Sequence, residues 1–144
     1  MHEINLKILL EIGCIGSIGC FLRFILIIMV QNIKDKSLNL KEKPIDKLVF
    51  PHHTLLVNVL GCLIMGLLSV ILKHNSPLGS SSLDAALLIG FCGGLTTFSS
   101  FILDAVNHFR NKQYIYVIGY ITITIGLCIA ADLSGRVLAM RVIY

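Results

Sequence analysis

The sequence predicts an all-α membrane protein of four transmembrane helices, with the third helix broken at mid-membrane. Three observations carry that prediction. Hydrophobic residues make up 56% of the 144-residue chain and charged residues 14%, with a mean hydropathy of +0.85, which leaves too few charges to clothe a soluble domain. Four apolar segments are each long enough to supply the roughly 20 helical residues that cross a bilayer core. The third of these carries "GFCGGLTTFSSF" at residues 90–101, a cluster of helix breakers inside an apolar run. A single four-span domain over residues 1–144 accommodates all of this.

The first span covers about residues 6–30 and carries Lys7, Glu11 and Arg23. Charge at membrane depth is costly unless it meets water, a partner or the interface. Arg23 therefore either snorkels to the interface or faces a water-filled vestibule that draws anions. Glu11 sits nearer the terminus and reads as interfacial. Gly16 and Gly19 leave a small face for close helix contact. Residues 31–50 form a polar loop in which Lys34, Lys36, Lys41, Lys43 and Lys47 mix with Asp35, Glu42 and Asp46. That mixture reads as a solvated or headgroup-facing loop rather than a nucleic-acid surface, because it has no interleaved aromatics.

The second span, about residues 54–72, places Thr54, Asn58 and Cys62 at i, i+4 and i+8, on one helix face. An amide such as Asn58 needs partners for its donors and acceptor in hydrocarbon. It either bonds a neighbouring helix or offers N–H groups to an ion. "KHNSPLGSSS" is a turn signal, and the third span follows over about residues 83–109. Gly93 and Gly94 each cost roughly 1 kcal/mol against alanine in a helix. Thr96, Thr97, Ser99 and Ser100 offer the backbone alternative hydrogen bonds. A break at that depth survives only where protein or water satisfies the freed groups, and freed carbonyls suit a hard cation such as sodium. The other reading is a packing face, since Gly90 and Gly94 form a small-x-x-x-small pair. Phe98 and Phe101, three apart, are neighbours if helix resumes, and the positive edges of their rings can attend an anion.

"RNKQ" reads as a tight turn into the fourth span, about residues 114–140, where Tyr120, Thr124 and Cys128 repeat the i, i+4, i+8 pattern. The five cysteines (14, 20, 62, 92 and 128) lie in apolar stretches without a C-x-x-C pair, so they read as small buried hydrophobes. The N-terminus lacks a small-residue cleavage site and fits a signal peptide poorly. Four spans put both termini on one side, with four basic residues there against seven on the other. That bias weakly places the basic loop in the cytoplasm and leaves both orientations open. The residues alone point to a small polytopic channel or transporter, not an enzyme.

Three motifs narrow this reading. "GFCGGLTTFSSF" resembles the signature of the Fluc (CrcB) family of fluoride channels, "FPHHTLLVNVLGCLIMG" its second-span pattern, and "IGSIGCFLRF" its first-span glycines and arginine. The resemblance covers all four spans in order. It implies an antiparallel, dual-topology homodimer in the bacterial inner membrane that passively exports cytoplasmic fluoride. It further implies a structural, non-transported sodium ion (Na+) held by the backbone carbonyls of Gly93 and Thr96 from both subunits. By motif position Asn58, Phe98, Phe101, Ser99, Ser100, Tyr120, Thr124 and Cys128 would line the fluoride pathway, with Arg23 in the vestibule. Departures from the pattern are Ser100 for threonine, Cys62 and Cys128 for serines, His52 and His53 at the span mouth, and Asp104 for glutamate. A proton-coupled small multidrug-type transporter is the alternative, with Glu11 as its carboxylate.

Overall fold

In a computed structural model, residues 6–38, 51–75 and 82–143 are described, and all of their regular structure is helical. Helix α1 spans Leu6–Leu38 and α2 spans His52–Asn75. The third span is composite: α3 (Ser82–Ala85), a π-helical stretch (Ala86–Cys92), α4 (Gly93–Leu95) and, after Thr96 and Thr97, α5 (Phe98–Arg110). Helix α6 covers Tyr114–Ile143. Four helical segments are long and apolar enough to cross a membrane, at Leu6–Ile33, His52–His74, Leu83–Arg110 and Tyr114–Ile143. The chain is a multi-pass membrane protein.

The expected spans recur with longer ends. Helix α1 continues eight residues past the expected 30, because nothing between residues 31 and 38 breaks a helix and Lys, Gln and Leu favour one. From residue 39 to 50 the basic loop lies outside the described residues, as does the "SPLGSS" turn at 76–81. The "RNKQ" turn is as read: Lys112 adopts φ 58°, and the Lys112 and Gln113 amides cap the Phe109 and His108 carbonyls at 2.9 and 3.1 Å. Those bonds satisfy the last carbonyls of α5 before the chain reverses.

Two close contacts organise the bundle. Gly16 and Gly19 of α1 face Gly90, Gly94 and the Phe91 carbonyl, so the small faces read on the first and third spans pack on each other. The second contact joins α2 and α6, which pack more extensively than any other pair. A β-carbon on Gly66 would collide with the Asp132 carbonyl, and one on Gly135 with the Leu63 carbonyl. At the other end of the same helices, Thr54 and Tyr120 both bond Asp104. Helices α2 and α6 therefore run in the same direction, with Thr54 and Tyr120 meeting at Asp104 towards one end and Gly66 and Asp132 in contact towards the other. The same register sets Asn58 opposite Thr124 and Cys62 opposite Cys128. The two polar stripes face each other.

Large apolar side chains line the outside of every span, Ile115 and Val142 at 88% and 86% exposure among them. Lipid or another chain must cover these faces. Because the Gly66 contact is backbone against backbone, Gly66→Ala should cost about 1–3 kcal/mol by overpacking. Gly126, which has nothing within 4 Å, should instead gain up to about 1 kcal/mol as alanine. Thermal melting of both variants in detergent checks the pair.

Candidate functional site

A continuous helix through residues 93–100 would bond the Thr97 N–H to the Gly93 carbonyl and the Ser100 N–H to the Thr96 carbonyl. Both donors are taken elsewhere. The Thr97 N–H donates to Asn58 Oδ1 at 2.8 Å, and the Ser100 N–H donates to Thr97 Oγ1 at 3.3 Å. Asn58 Nδ2 donates in return to the Thr97 carbonyl at 3.2 Å, so one amide grips both sides of one residue. Thr96 and Thr97 are extended, at φ/ψ of −77°/160° and −144°/115°. Thr97 then caps α5 with its own hydroxyl, a usual threonine role. The break thus diverts the donors that a continuous helix would give the Gly93 and Thr96 carbonyls to Asn58 and to the Thr97 hydroxyl.

Both carbonyls pick up side-chain donors. Thr96 Oγ1 donates to the Cys92 carbonyl at 3.0 Å and more weakly to that of Gly93 at 3.5 Å. The Arg23 guanidinium donates to the Thr96 carbonyl at 3.0 Å. Arg23 therefore anchors α1 to the break, and its charge is satisfied at depth by the carbonyl dipole. This contact joins the first and third spans across 73 positions of sequence.

Beside the break lies an open groove of about 580 Å³. Asn58 and Cys62 form one wall, Thr124 and Cys128 the facing one, and Cys92, Gly93, Thr96 and Thr97 the floor. Phe98 and Phe101 close one end, their centroids 5.9 Å apart. Phe98 is 75% exposed, whereas Phe101 is buried against Tyr120 with centroids 5.3 Å apart. Asn58 uses one of its two Nδ2 protons on Thr97 and holds the other uncommitted in the groove wall. The Thr124 hydroxyl is buried without a hydrogen-bond partner, although its residue lines the groove. Among the described residues, no Asp, Glu, His, Lys or Arg lines this groove.

The structure thus gathers Asn58, Phe98, Phe101, Thr124 and Cys128 around one space, with Gly93 and Thr96 on its floor. Tyr120 stands behind Phe101, its hydroxyl on Asp104 Oδ2 at 3.4 Å. Ser99 and Ser100 lie off the groove, and their hydroxyls cluster on Thr97 Oγ1 at 3.2 Å. Glu11 lies away from it, 3.9 Å from Lys7. Two residues outside the expected set prove central. Thr97 is the residue gripped by Asn58, and a hydroxyl three positions before Ser100 at the start of a helix is a cap signal in the sequence. Asp104 ties α2, α5 and α6 by accepting from Thr54 at 2.8 Å and from Tyr120; only the fold reveals that junction.

A hard cation such as sodium takes oxygen ligands, and the backbone carbonyls of Gly93 and Thr96 are groups of that kind. Each carbonyl has two lone pairs, but Arg23 already occupies one at Thr96. A single chain therefore leaves such an ion under-coordinated.

The sequence profile described as "CrcB-like protein, Camphor Resistance (CrcB)" matches residues 10–136. A protein of Azobacteroides pseudotrichonymphae genomovar. CFP2, named fluoride-specific ion channel FluC, is 33% identical over 133 residues, covering 92% of this chain and 96% of its own length. A Ruminiclostridium cellulolyticum protein of the same name is 28% identical, with 91% of each chain covered. One from Pseudomonas putida strain F1 is 45% identical over 90 residues, covering 60% of this chain and 72% of its own. These relatives are named as ion channels, not enzymes.

Removing the Asn58 amide orphans a buried N–H and a buried carbonyl. Asn58→Leu should therefore cost about 1–3 kcal/mol per unsatisfied group and speed hydrogen exchange at the Thr97 amide. Both are measurable in detergent, by melting and by exchange mass spectrometry. The Thr97→Val variant, which keeps the backbone bonds to Asn58 but loses the cap and the hydroxyl contacts with Ser99 and Ser100, should lose about 1–2 kcal/mol.

Proposed function

The chain belongs to the CrcB-like protein family, and from that premise we propose that it is a passive, fluoride-specific channel. The observation that carries the reading is the groove: an uncommitted Asn58 N–H, the Thr124 side chain in its lining, phenylalanine rings at one end and, among the described residues, no carboxylate or base in its walls. Fluoride is small and strongly hydrated, so a pathway must return hydrogen bonds for those it strips. The free Asn58 N–H is such a donor, held in place by the amide's two bonds to Thr97. The ring edges of Phe98 and Phe101 carry partial positive charge, which attends an anion without trapping it.

Passive transport follows from the same walls. Proton coupling needs a carboxylate that the substrate and the proton share in turn. Glu11, the candidate for a multidrug-type transporter, lies outside the groove. Hydrogen fluoride that enters a cell ionises in the more alkaline cytoplasm, and a passive pathway in the bacterial inner membrane lets the anion leave down its gradient.

A homodimer completes the reading. Gly93 has nothing among the described residues within 4 Å of the position its β-carbon would occupy, so no contact among them requires the roughly 1 kcal/mol that glycine costs a helix there. A second copy meeting the groove floor supplies that reason. Its Gly93 and Thr96 carbonyls would join those of the first chain to hold a sodium ion, which neutralises the clustered oxygens and stays in place. The modest charge bias between the two sides is compatible with antiparallel, dual-topology insertion.

Protein reconstituted in liposomes should release trapped fluoride, but not chloride, above the protein-free rate on an ion-selective electrode. Folded protein without fluoride efflux would overturn the proposal. In Asn58→Asp a carboxylate stands beside the anion, and like charges about 4 Å apart repel by about 4 kcal/mol at an effective dielectric near 20. Flux should fall by about two orders of magnitude or more, with assembly retained on a sizing column.

A further inference from the structure

The facing stripes of α2 and α6 end in a pair of thiols. Cys62 follows Asn58 by four residues and Cys128 follows Thr124 by four. The parallel pairing that sets Gly66 against Asp132 therefore sets Cys62 against Cys128 one turn earlier. Their side chains interact directly, and both line the groove. Cys92, also in the groove, neighbours Cys62. Thr124, one turn before Cys128, lines the same groove. All of these cysteines are free thiols.

We propose that Cys62 and Cys128 form a binding site for a soft, thiophilic d10 cation, the mercuric ion above all, and that occupancy closes the groove to anions. Two thiols from parallel helices, facing across a narrow space, suit the linear two-coordination that such cations accept. Zinc prefers four ligands, and no group of three or more His, Cys, Asp or Glu side chains among the described residues could hold a metal.

Charge selects further. Each thiol must lose its proton to ligate, so one mercuric ion and two thiols give a neutral dithiolate and two protons, which leave through the open groove. Neutrality matters at membrane depth, where a net charge is expensive. Silver or cuprous ion between the same thiolates leaves one negative charge and should bind less well there. Hard fluoride does not displace a thiolate from a soft cation, so the bound metal plugs the groove one turn from the Asn58–Thr124 layer.

The consequence for flux rests on the channel reading, whereas the binding itself does not. Two measurements on the purified full-length protein separate them. Native mass spectrometry after incubation with mercuric nitrate should show one metal per chain with the loss of two protons and two reactive thiols, in the wild type and in a Cys14→Ser/Cys20→Ser/Cys92→Ser variant. Cys62→Ser and Cys128→Ser should each abolish that species, and Cys62→Ala serves if the serine variant fails to fold. In liposomes, mercuric nitrate should abolish the fluoride flux of the wild type and of a Cys14→Ser/Cys20→Ser variant, and excess dithiol should restore it. Metal uptake that persists in both single variants, or that vanishes in the triple variant, overturns the site. Liposomes that release no fluoride before metal is added refute the channel reading, while the metal count still decides the thiol pair.

Discussion

Hydrocarbon supplies no hydrogen bonds, so every backbone group at membrane depth must find a partner within protein. This chain interrupts a spanning helix at Thr96 and Thr97, and the rest of the structure is arranged to make that tolerable. Asn58 is the main instrument. Its amide replaces the helix on both sides of Thr97, and Thr97 in turn caps the helix that resumes. The carbonyls thereby released are met by Arg23 from α1 and by the Thr96 hydroxyl. Removal of Asn58 would leave the buried Thr97 N–H and carbonyl without their partners.

That requirement explains the tight packing elsewhere. Asn58 reaches Thr97 only because α2 is held in fixed register, and the backbone contacts at Gly66 and Gly135 against α6 fix it. Arg23 reaches Thr96 only because Gly16 and Gly19 let α1 approach Gly90 and Gly94. The two glycines of the third span divide the labour. Gly94 faces α1, where a β-carbon would strike the Gly16 carbonyl, while Gly93 opens onto the groove. Packing and site are two faces of one dipeptide.

Much of this was legible in the sequence. Hydropathy gave four spans, and the i, i+4, i+8 spacing of Thr54, Asn58 and Cys62 and of Tyr120, Thr124 and Cys128 gave two polar faces. Periodicity says which residues share a face but not which faces meet. The parallel register of α2 and α6, and so the pairing of the stripes, needed the fold. Two alternatives that the residues left open turned out to coexist: the third-span glycines are both a packing face and the approach to a break, and Asn58 bonds a neighbouring span while keeping one N–H uncommitted. The π-helical turn at Ala86–Cys92 had no sequence signal, because ordinary apolar residues fill it. The sequence leaves Arg23 seeking water, a partner or the interface, and the fold supplies one partner, the Thr96 carbonyl more than seventy residues away.

The most direct test of this account is the partner of one amide. Solid-state NMR of the labelled protein in lipid can measure the coupling between the Thr97 amide nitrogen and the Asn58 side-chain carbonyl carbon. A strong contact, matching the 2.8 Å separation of nitrogen and Oδ1, with the Gly93 carbonyl free of the Thr97 amide, is the expected result. A Thr97 amide bonded to the Gly93 carbonyl, with Asn58 out of contact, would mean an unbroken helix and would contradict the account.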